Sequence, residues 1–350
     1  MDQTIHQIRI AGLASAVPRH EEPIADSQYG TPEIRARFSA MTGVHARRLC
    51  LPDQFCSDLA TAAANRLLDE LGWNRAEIEN LIFITQSPDL NYPATACLIQ
   101  DRLKLPTSCA AFDINLGCSG YPYGLFIAAK MTAQRPGSKT LLLIGDTAGK
   151  PNLASELNTV SPLFGDAASA TALEWHPDAP PMRIQLHTDG SGWDNIMSRR
   201  AGGRPGLDAS NFQFANEDGQ IKIQSQSQMR GEDVFNFTAS TVPPAIHTML
   251  AAMNWPKESV NAFVLHQASR TVNEMLRKRL GLTPAQTPGS LKNFGNTSSA
   301  TIPLTLVTQW RDALRSSRQR LILCGFGVGL SWGTAACEWD RMVCPDLIEL

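Results

Sequence analysis

The sequence predicts a layered α/β fold assembled from two related halves, residues 1–175 and 176–350. Three observations predict it. First, segments of the N-terminal half recur in the C-terminal half in the same order and at nearly constant offset. WNRAEIENLIF (73–83) matches WPKESVNAFVL (255–265), KTLLLIGD (from 139) matches QRLILCGF (from 319), and FGDAASATALEW matches FGVGLSWGTAACEW. The most informative pair is NLGCSG (115–120) against NFGNTSS (293–299). So long a period excludes a solenoid and reads as duplication of a whole unit. Second, LIFITQS, LLLIGD, FVLHQAS and LILCGF are short, β-rich and continuously apolar, the mark of strands buried on both faces. Third, helix-like stretches separate these runs, an order that places helices over the faces of the sheets.

The elements follow in chain order. Ser57 is placed to cap a helix running to about Gly72, with Leu59, Leu67, Leu68 and Leu71 on its buried side. CAAFDIN reads as a strand and YGLFIAAKM as a helix, so residues 115–119 form a strand-to-helix turn. Residues 176–230, rich in Gly, Asp, Ser and Arg, read as connection and surface loops. After FVLHQAS, a helix over 271–280 puts Val272, Met275, Leu276 and Leu280 on one apolar stripe and leaves Arg277 and Lys278 outward, with Arg270 just before it.

Composition narrows the function classes. Of the 350 residues, 43% are hydrophobic and 18% charged, which suits a well-buried globular chain rather than a disordered one. A net charge of −2 gives no global reason to expect nucleic acid. No apolar run approaches the ~20 residues that span a bilayer, and MDQTIHQIRIAGLASAVP lacks the basic start and apolar stretch of a signal peptide. A cytoplasmic enzyme that binds neither membrane nor nucleic acid is expected. The eight cysteines are scattered without a CxxC pair, against a disulfide framework and against a structural zinc site.

One cysteine stands apart. Cys118 lies on the strand-to-helix turn between Gly117 and Gly120, and its counterpart in the second half is Asn296. A helix N-terminus presents free N–H groups and a positive dipole end, so the placement predicts a lowered thiol pKa and a nucleophile. In a duplicated fold equivalent turns meet near the pseudo-twofold axis, which brings Asn296 to the same place. His266 ends the strand AFVL, where side chains of α/β folds point into the ligand crevice. Cys, His and Asn together also describe a papain-like peptidase, but the duplicated layout and the sequence around Cys118 differ from that family. GFGVGLSWG (325–333) superficially resembles a dinucleotide loop. It is followed by a strand instead of a helix, so its use is to expose a backbone N–H as an oxyanion donor.

The chain resembles the thiolase superfamily, and within it 3-oxoacyl-acyl carrier protein synthase III. The matching pieces are MTGVHARR (41–48), YPATACLIQ (92–100), NLGCSG, LFGDAASA (163–170), MRGEDVFNF (229–237), VLHQAS, NFGNTSSATIPL and GFGVGLSWG. The resemblance implies a five-layered αβαβα fold, a homodimer, and no metal or redox cofactor. It implies that Cys118 carries a starter acyl group taken from acyl-CoA or an acyl carrier protein. His266 and Asn296 would bind the malonyl thioester carbonyl, favour loss of CO2 and stabilise the enolate. Backbone N–H groups of Cys118 and Val328 would form the oxyanion hole, Val328 standing where a glycine is usual. Tyr92 would cross the dimer interface to floor the partner's acyl pocket. Arg270, Arg277 and Lys278 would dock the acidic carrier protein.

The resemblance is weakest around the pantetheine tunnel mouth. Arg37, Met41 and Asn158 stand where tryptophan, arginine and arginine are common, and Ser269 replaces an asparagine that contacts pantetheine. Competing functions are therefore a specialised homologue acting on a non-malonyl acceptor in secondary-metabolite or surface-polysaccharide synthesis, a thiolase or hydroxymethylglutaryl-type synthase, and a non-catalytic partner subunit. A biosynthetic thiolase places a second catalytic cysteine at the position of Gly325. Here Cys324 lies one residue earlier, and strand alternation points it the other way.

Overall fold

Two mixed sheets organise the computed structural model, which describes residues 1–150, 161–198, 213–215, 221–223 and 227–350. The first runs, edge to edge, Ile348–Glu349, Ile8–Val17, Asp166–Trp175, Lys139–Thr147, Ile78–Ile84 and Ala110–Ile114. The second runs Asp2–Ile5, Met182–Thr188, Ser331–Trp339, Gln319–Gly327 and Ala262–Leu265. The strand pairs inferred from the repeat occupy equivalent places: Ile78–Ile84 is parallel to Lys139–Thr147, as Ala262–Leu265 is to Gln319–Gly327. Each middle strand is then antiparallel to its next neighbour, Asp166–Trp175 or Ser331–Trp339.

Period-two alternation builds the layers. Ile82, Ile84, Leu142 and Ile144 of the first sheet, with Val264, Leu321 and Leu323 of the second, face one shared core. Between the sheets lie the helices Gly120–Thr132 and Thr301–Gln309, which supply Leu125, Ala128, Ile302 and Leu306. The alternate residues Leu81, Phe83, Leu141 and Leu143 face outward onto the helices Cys56–Leu71 and Thr95–Arg102. Phe263, Ile322 and Cys324 face the helices Gly231–Met253 and Arg270–Arg279 on the opposite outside. The order is helix, sheet, helix, sheet, helix: five layers, duplicated about the central pair of helices. At about 1.5–3 kcal/mol for each buried large apolar side chain, both faces of both sheets contribute to stability.

Three local expectations differ. The helix that ends at Gly72, in the left-handed conformation at φ 64°, begins at Cys56, so Ser57 does not cap it. The Asp58 carboxylate instead accepts from the Phe55 N–H at 2.7 Å, and Ser57 Oγ accepts from Arg102 at 2.8 Å. Residues 176–230 are not wholly connection: Met182–Thr188 is a strand of the second sheet, in which Met182, Ile184 and Leu186 alternate with Arg183, Gln185 and His187. The termini also cross over. Asp2–Ile5 pairs in the second sheet and Ile348–Glu349 in the first.

Candidate active site

The two equivalent turns meet where the sequence places them. Cys118 lies between the strand Ala110–Ile114 and the helix that starts at Gly120, and Asn296 precedes the helix that starts at Thr301. Both helices belong to the central layer, and the two turns meet where Ser298, two residues after Asn296, reaches Cys118. His266 follows the strand Ala262–Leu265, its backbone N–H donating to the Cys324 carbonyl at 2.8 Å.

Ser298 joins the three. Its backbone N–H donates to Asn296 Oδ1 at 2.9 Å, its side chain reaches the Cys118 thiol, and its backbone faces the His266 ring. It adopts φ 51°, left-handed for a residue with a Cβ, a strain of the kind that folds retain at functional turns. Asn296 is 4% exposed, and its Nδ2 donates to the Ala268 carbonyl at a long 3.4 Å. His266 Nδ1 lies 2.7 Å from the Thr301 hydroxyl, and the Phe326 ring stands edge-on to the imidazole at 5.4 Å.

The glycine-rich turn closes over the thiol. Gly327 sits at φ 152°, and a Cβ placed there would fall 2.7 Å from Cys118 Cβ and 3.1 Å from Sγ. A Cβ on Gly325 would fall 2.8 Å from the Cys118 carbonyl. The backbone of Val328, the next residue, bonds the Cys118 sulfur, as does the backbone of Cys118 itself. Two backbone donors thus converge on the Cys118 sulfur, and the Val328 side chain leaves its own N–H free to take part.

The electrostatics overturn one expectation. Burial, first, and the nearby Asp146 carboxylate push the Cys118 pKa up to about 11, while the Val328 and Cys118 backbone donors and Ser298 pull it down. The helix N-terminus does not dominate: Gly120 spends its N–H on the Gly117 carbonyl at 2.7 Å, and Ser119 Oγ bonds Ser331 Oγ at 2.6 Å. Cys118 rests as a thiol. Burial likewise holds His266 down at about 3, so its ring is neutral.

Sequence reasoning overlooked Asp146, Ser298, Thr301 and Gly327 as individual residues. Asp146 is 1% exposed and links the halves: its carboxylate accepts from Gln86 N–H at 2.6 Å and from Ser299 Oγ at 2.6 Å. It stands at the carboxyl-terminal end of a strand, the same signal that singled out His266.

The remaining candidate residues lie apart from this turn. Tyr92 is 86% exposed. Arg37 and Met41 are exposed on the helix Pro32–Thr42, and Asn158 lies outside the described residues. Ser269 caps the helix Arg270–Arg279, its hydroxyl accepting from Val272 N–H at 3.3 Å. Arg270 donates to the Ala40 carbonyl, and Lys278 is exposed. Arg277, expected outward, is folded back: its side chain is 20% exposed, paired with Glu274 at 2.7 Å and bonded to the Leu282 carbonyl at 3.1 Å. An i,i+3 carboxylate within reach captures the guanidinium before it can extend.

Cys324 faces the outer core beside Thr334 Oγ1, 3.6 Å from its sulfur, and not the Cys118 turn. The second cysteine that a thiolase needs is therefore absent from the described site. All eight cysteines are free. Among the described residues no cluster of His, Cys, Asp and Glu could hold a metal ion, and no helix is long and apolar enough to cross a membrane.

Family models match residues 112–190, described as 3-oxoacyl-[acyl-carrier-protein (ACP)] synthase III, and residues 250–339, described as the C terminal of that synthase. These spans contain Cys118, His266, Asn296 and the glycine-rich turn. The beta-ketoacyl-[acyl-carrier-protein] synthase III of Xanthomonas campestris pv. campestris is 32% identical over 340 residues, covering 95% of this chain and 98% of its own. A 3-oxoacyl-(acyl-carrier protein) synthase from Burkholderia xenovorans LB400 superposes with a TM-score of 0.92 at 34% identity, over 100% of this chain and 99% of that one. The synthase III of Pseudomonas aeruginosa PAO1 follows at 0.81 and 25%, over 97% and 100%. Matching these relatives along almost its whole length and in its fold, the chain belongs to the 3-oxoacyl-[acyl-carrier-protein] synthase III family of the thiolase superfamily.

Proposed function

We propose that the protein is an acyltransferase that condenses an acyl group with malonyl-acyl carrier protein in fatty acid biosynthesis, using Cys118, His266 and Asn296. The observation that carries the reading is the Ser298 turn, which ties the half-buried thiol to the buried imidazole and carboxamide in one cluster. In the first half-reaction the Cys118 sulfur attacks the carbonyl of an acyl-CoA or acyl-carrier thioester. The Cys118 proton leaves with the outgoing thiol, and the Cys118 and Val328 N–H groups hold the oxyanion. In the second, His266 and Asn296 donate to the malonyl thioester carbonyl as CO2 departs. The enolate attacks the acyl-Cys118 carbonyl, the carbon–sulfur bond breaks, and the departing thiolate takes a proton from solvent to restore the thiol. The reaction calls on no metal or redox cofactor. The relatives are named for this synthase activity, which favours it over a non-malonyl acceptor or a non-catalytic role.

The proposal extends to the finer roles. The halves divide at residues 175 and 176. The chain acts in the cytoplasm as a homodimer paired along the strand Ala110–Ile114, whose outer edge is unpaired among the described residues and flanked by half-buried Phe112, Ile114, Phe126 and Ile127. The exposed Tyr92 reaches the partner's acyl pocket. Arg270, Arg277 and Lys278 receive the acidic carrier protein. Intact-mass measurement tests the core of this reading. The parent protein gains one acyl group from an acyl thioester, faster as pH rises toward the raised thiol pKa, and Cys118→Ala gains none. Stoichiometric acylation of Cys118→Ala at another cysteine refutes the assignment.

A further inference from the structure

Val328 sits between two glycines in backbone that only glycine adopts readily, Gly327 at φ 152° and Gly329 at φ 143°. Such a turn does not hold a direction by itself, yet the Val328 N–H is aimed at the Cys118 sulfur. The far side of the turn is held by backbone: Leu330 N–H donates to the Asp189 carbonyl at 3.0 Å, and Asp189 N–H donates to the Leu330 carbonyl at 2.8 Å. The near side is held by two hydroxyls.

Ser331 Oγ lies 2.6 Å from the Val328 carbonyl and 2.6 Å from Ser119 Oγ. A carbonyl only accepts, so the single hydroxyl hydrogen of Ser331 goes to Val328. Ser331 then has only lone pairs left, and the contact with Ser119 is made by the Ser119 hydrogen. This is the arrangement that satisfies both contacts. Both side chains are sealed from water, Ser119 at 0% exposure and Ser331 at 2%, so a hydroxyl that turned away would find no solvent to replace its partner. Ser119 directly follows the nucleophile and lies under the turn: a Cβ on Gly325 would fall 3.0 Å from Ser119 Cα. The relay thus ties the residue beside Cys118 to the residue that supplies the second backbone donor.

We propose that Ser119 and Ser331 are positioning residues: Ser119 donates to Ser331, Ser331 donates to the Val328 carbonyl, and the relay aims the Val328 N–H at the Cys118 sulfur. The inference rests on the proposed acyl transfer to Cys118 and adds which side chains set its oxyanion donors. With its carbonyl held, Val328 cannot turn between its glycine neighbours. Ser331→Ala frees that carbonyl. Ser119→Ala leaves it bonded and removes only the donor behind it, so it perturbs the turn less. Once Ser331 is replaced by alanine, Ser119 has no relay to feed, and removing its hydroxyl as well adds no further loss.

Val328–Gly329 is the single Val-Gly pair of the sequence. Carbon-13 at valine carbonyls with nitrogen-15 at glycine therefore isolates one NMR signal, read without substrate. Ser331→Ala should move the Val328 carbonyl carbon upfield. Ser331→Cys, of similar size with a weak donor, should move it the same way and keeps the test open if the alanine variant does not fold. Single-turnover loading of Cys118, followed by intact mass, should slow on the order of tenfold in Ser331→Ala, part of the ~10²-fold that a lost oxyanion donor costs, and less in Ser119→Ala. The double variant should load no slower than Ser331→Ala. Malonyl decarboxylation, which calls on His266 and Asn296, should fall far less than loading. An unmoved Val328 signal in a folded Ser331 variant overturns the relay. Parent-rate loading in Ser331→Ala, additive losses in the double variant, or decarboxylation falling as far as loading overturns the positioning role. A parent protein that takes no acyl group refutes acyl transfer to Cys118, and the positioning role with it, whatever the carbonyl signal shows.

Discussion

Gly327→Ala perturbs the site at its closest backbone approach. The new methyl would lie 2.7 Å from Cys118 Cβ. Carbon atoms rest at about 3.5 Å or more, so the turn and the cysteine must separate by roughly 0.8 Å. A φ of 152° adds strain for any residue with a Cβ, of order 1–3 kcal/mol. Separating Gly327 from Cys118 moves the Val328 N–H away from the sulfur it now bonds. A misplacement near 1 Å costs about 10²-fold in a well-oriented reaction. Single-turnover acyl loading, followed by intact mass, should therefore slow by about that factor, with far-UV circular dichroism unchanged. Gly190→Ala is the control, because an added methyl there meets nothing within 4 Å. A folded Gly327→Ala that loads at the parent rate refutes the idea that this contact sets the oxyanion donors.

Two further predictions concern the surfaces around the site. Arg277→Glu with Lys278→Glu lowers kcat/KM for carrier-bound substrate by roughly tenfold and flattens its salt dependence, while a pantetheine thioester is barely affected. Most of the effect comes from Lys278, since Glu274 already neutralises Arg277, and equal losses on both substrates contradict carrier docking. Tyr92→Ala broadens starter acceptance toward longer acyl chains in a protein that sediments as a dimer; an unchanged chain-length profile removes Tyr92 from the pocket.

The layered fold was legible because two signals reinforce each other. Continuous apolar runs such as LLLIGD mark strands buried on both faces, and their recurrence in LILCGF fixes their equivalence. The same repeat paired Cys118 with Asn296, and the structure brings their turns together at Ser298. Less legible was anything decided by distant contacts. The thiol pKa depends on how much water the Gly327 turn excludes and on Asp146, neither of which lies near Cys118 in sequence. The capture of Arg277 by Glu274 is local, and i,i+3 spacing could have revealed it. The exchange of the terminal strands leaves no local pattern at all, because it is settled by which sheet edge each terminus reaches.

The proposed cluster performs two separable steps, loading on Cys118 and decarboxylation by His266 and Asn296. The most direct test measures both half-reactions in His266→Ala and in Asn296→Ala. Loading needs the sulfur and the backbone donors, whereas enolate stabilisation needs both side chains, each worth on the order of 10²-fold or more. Each variant should still form the acyl-enzyme while losing malonyl decarboxylation. Decarboxylation at the parent rate in either variant would contradict the roles proposed for His266 and Asn296.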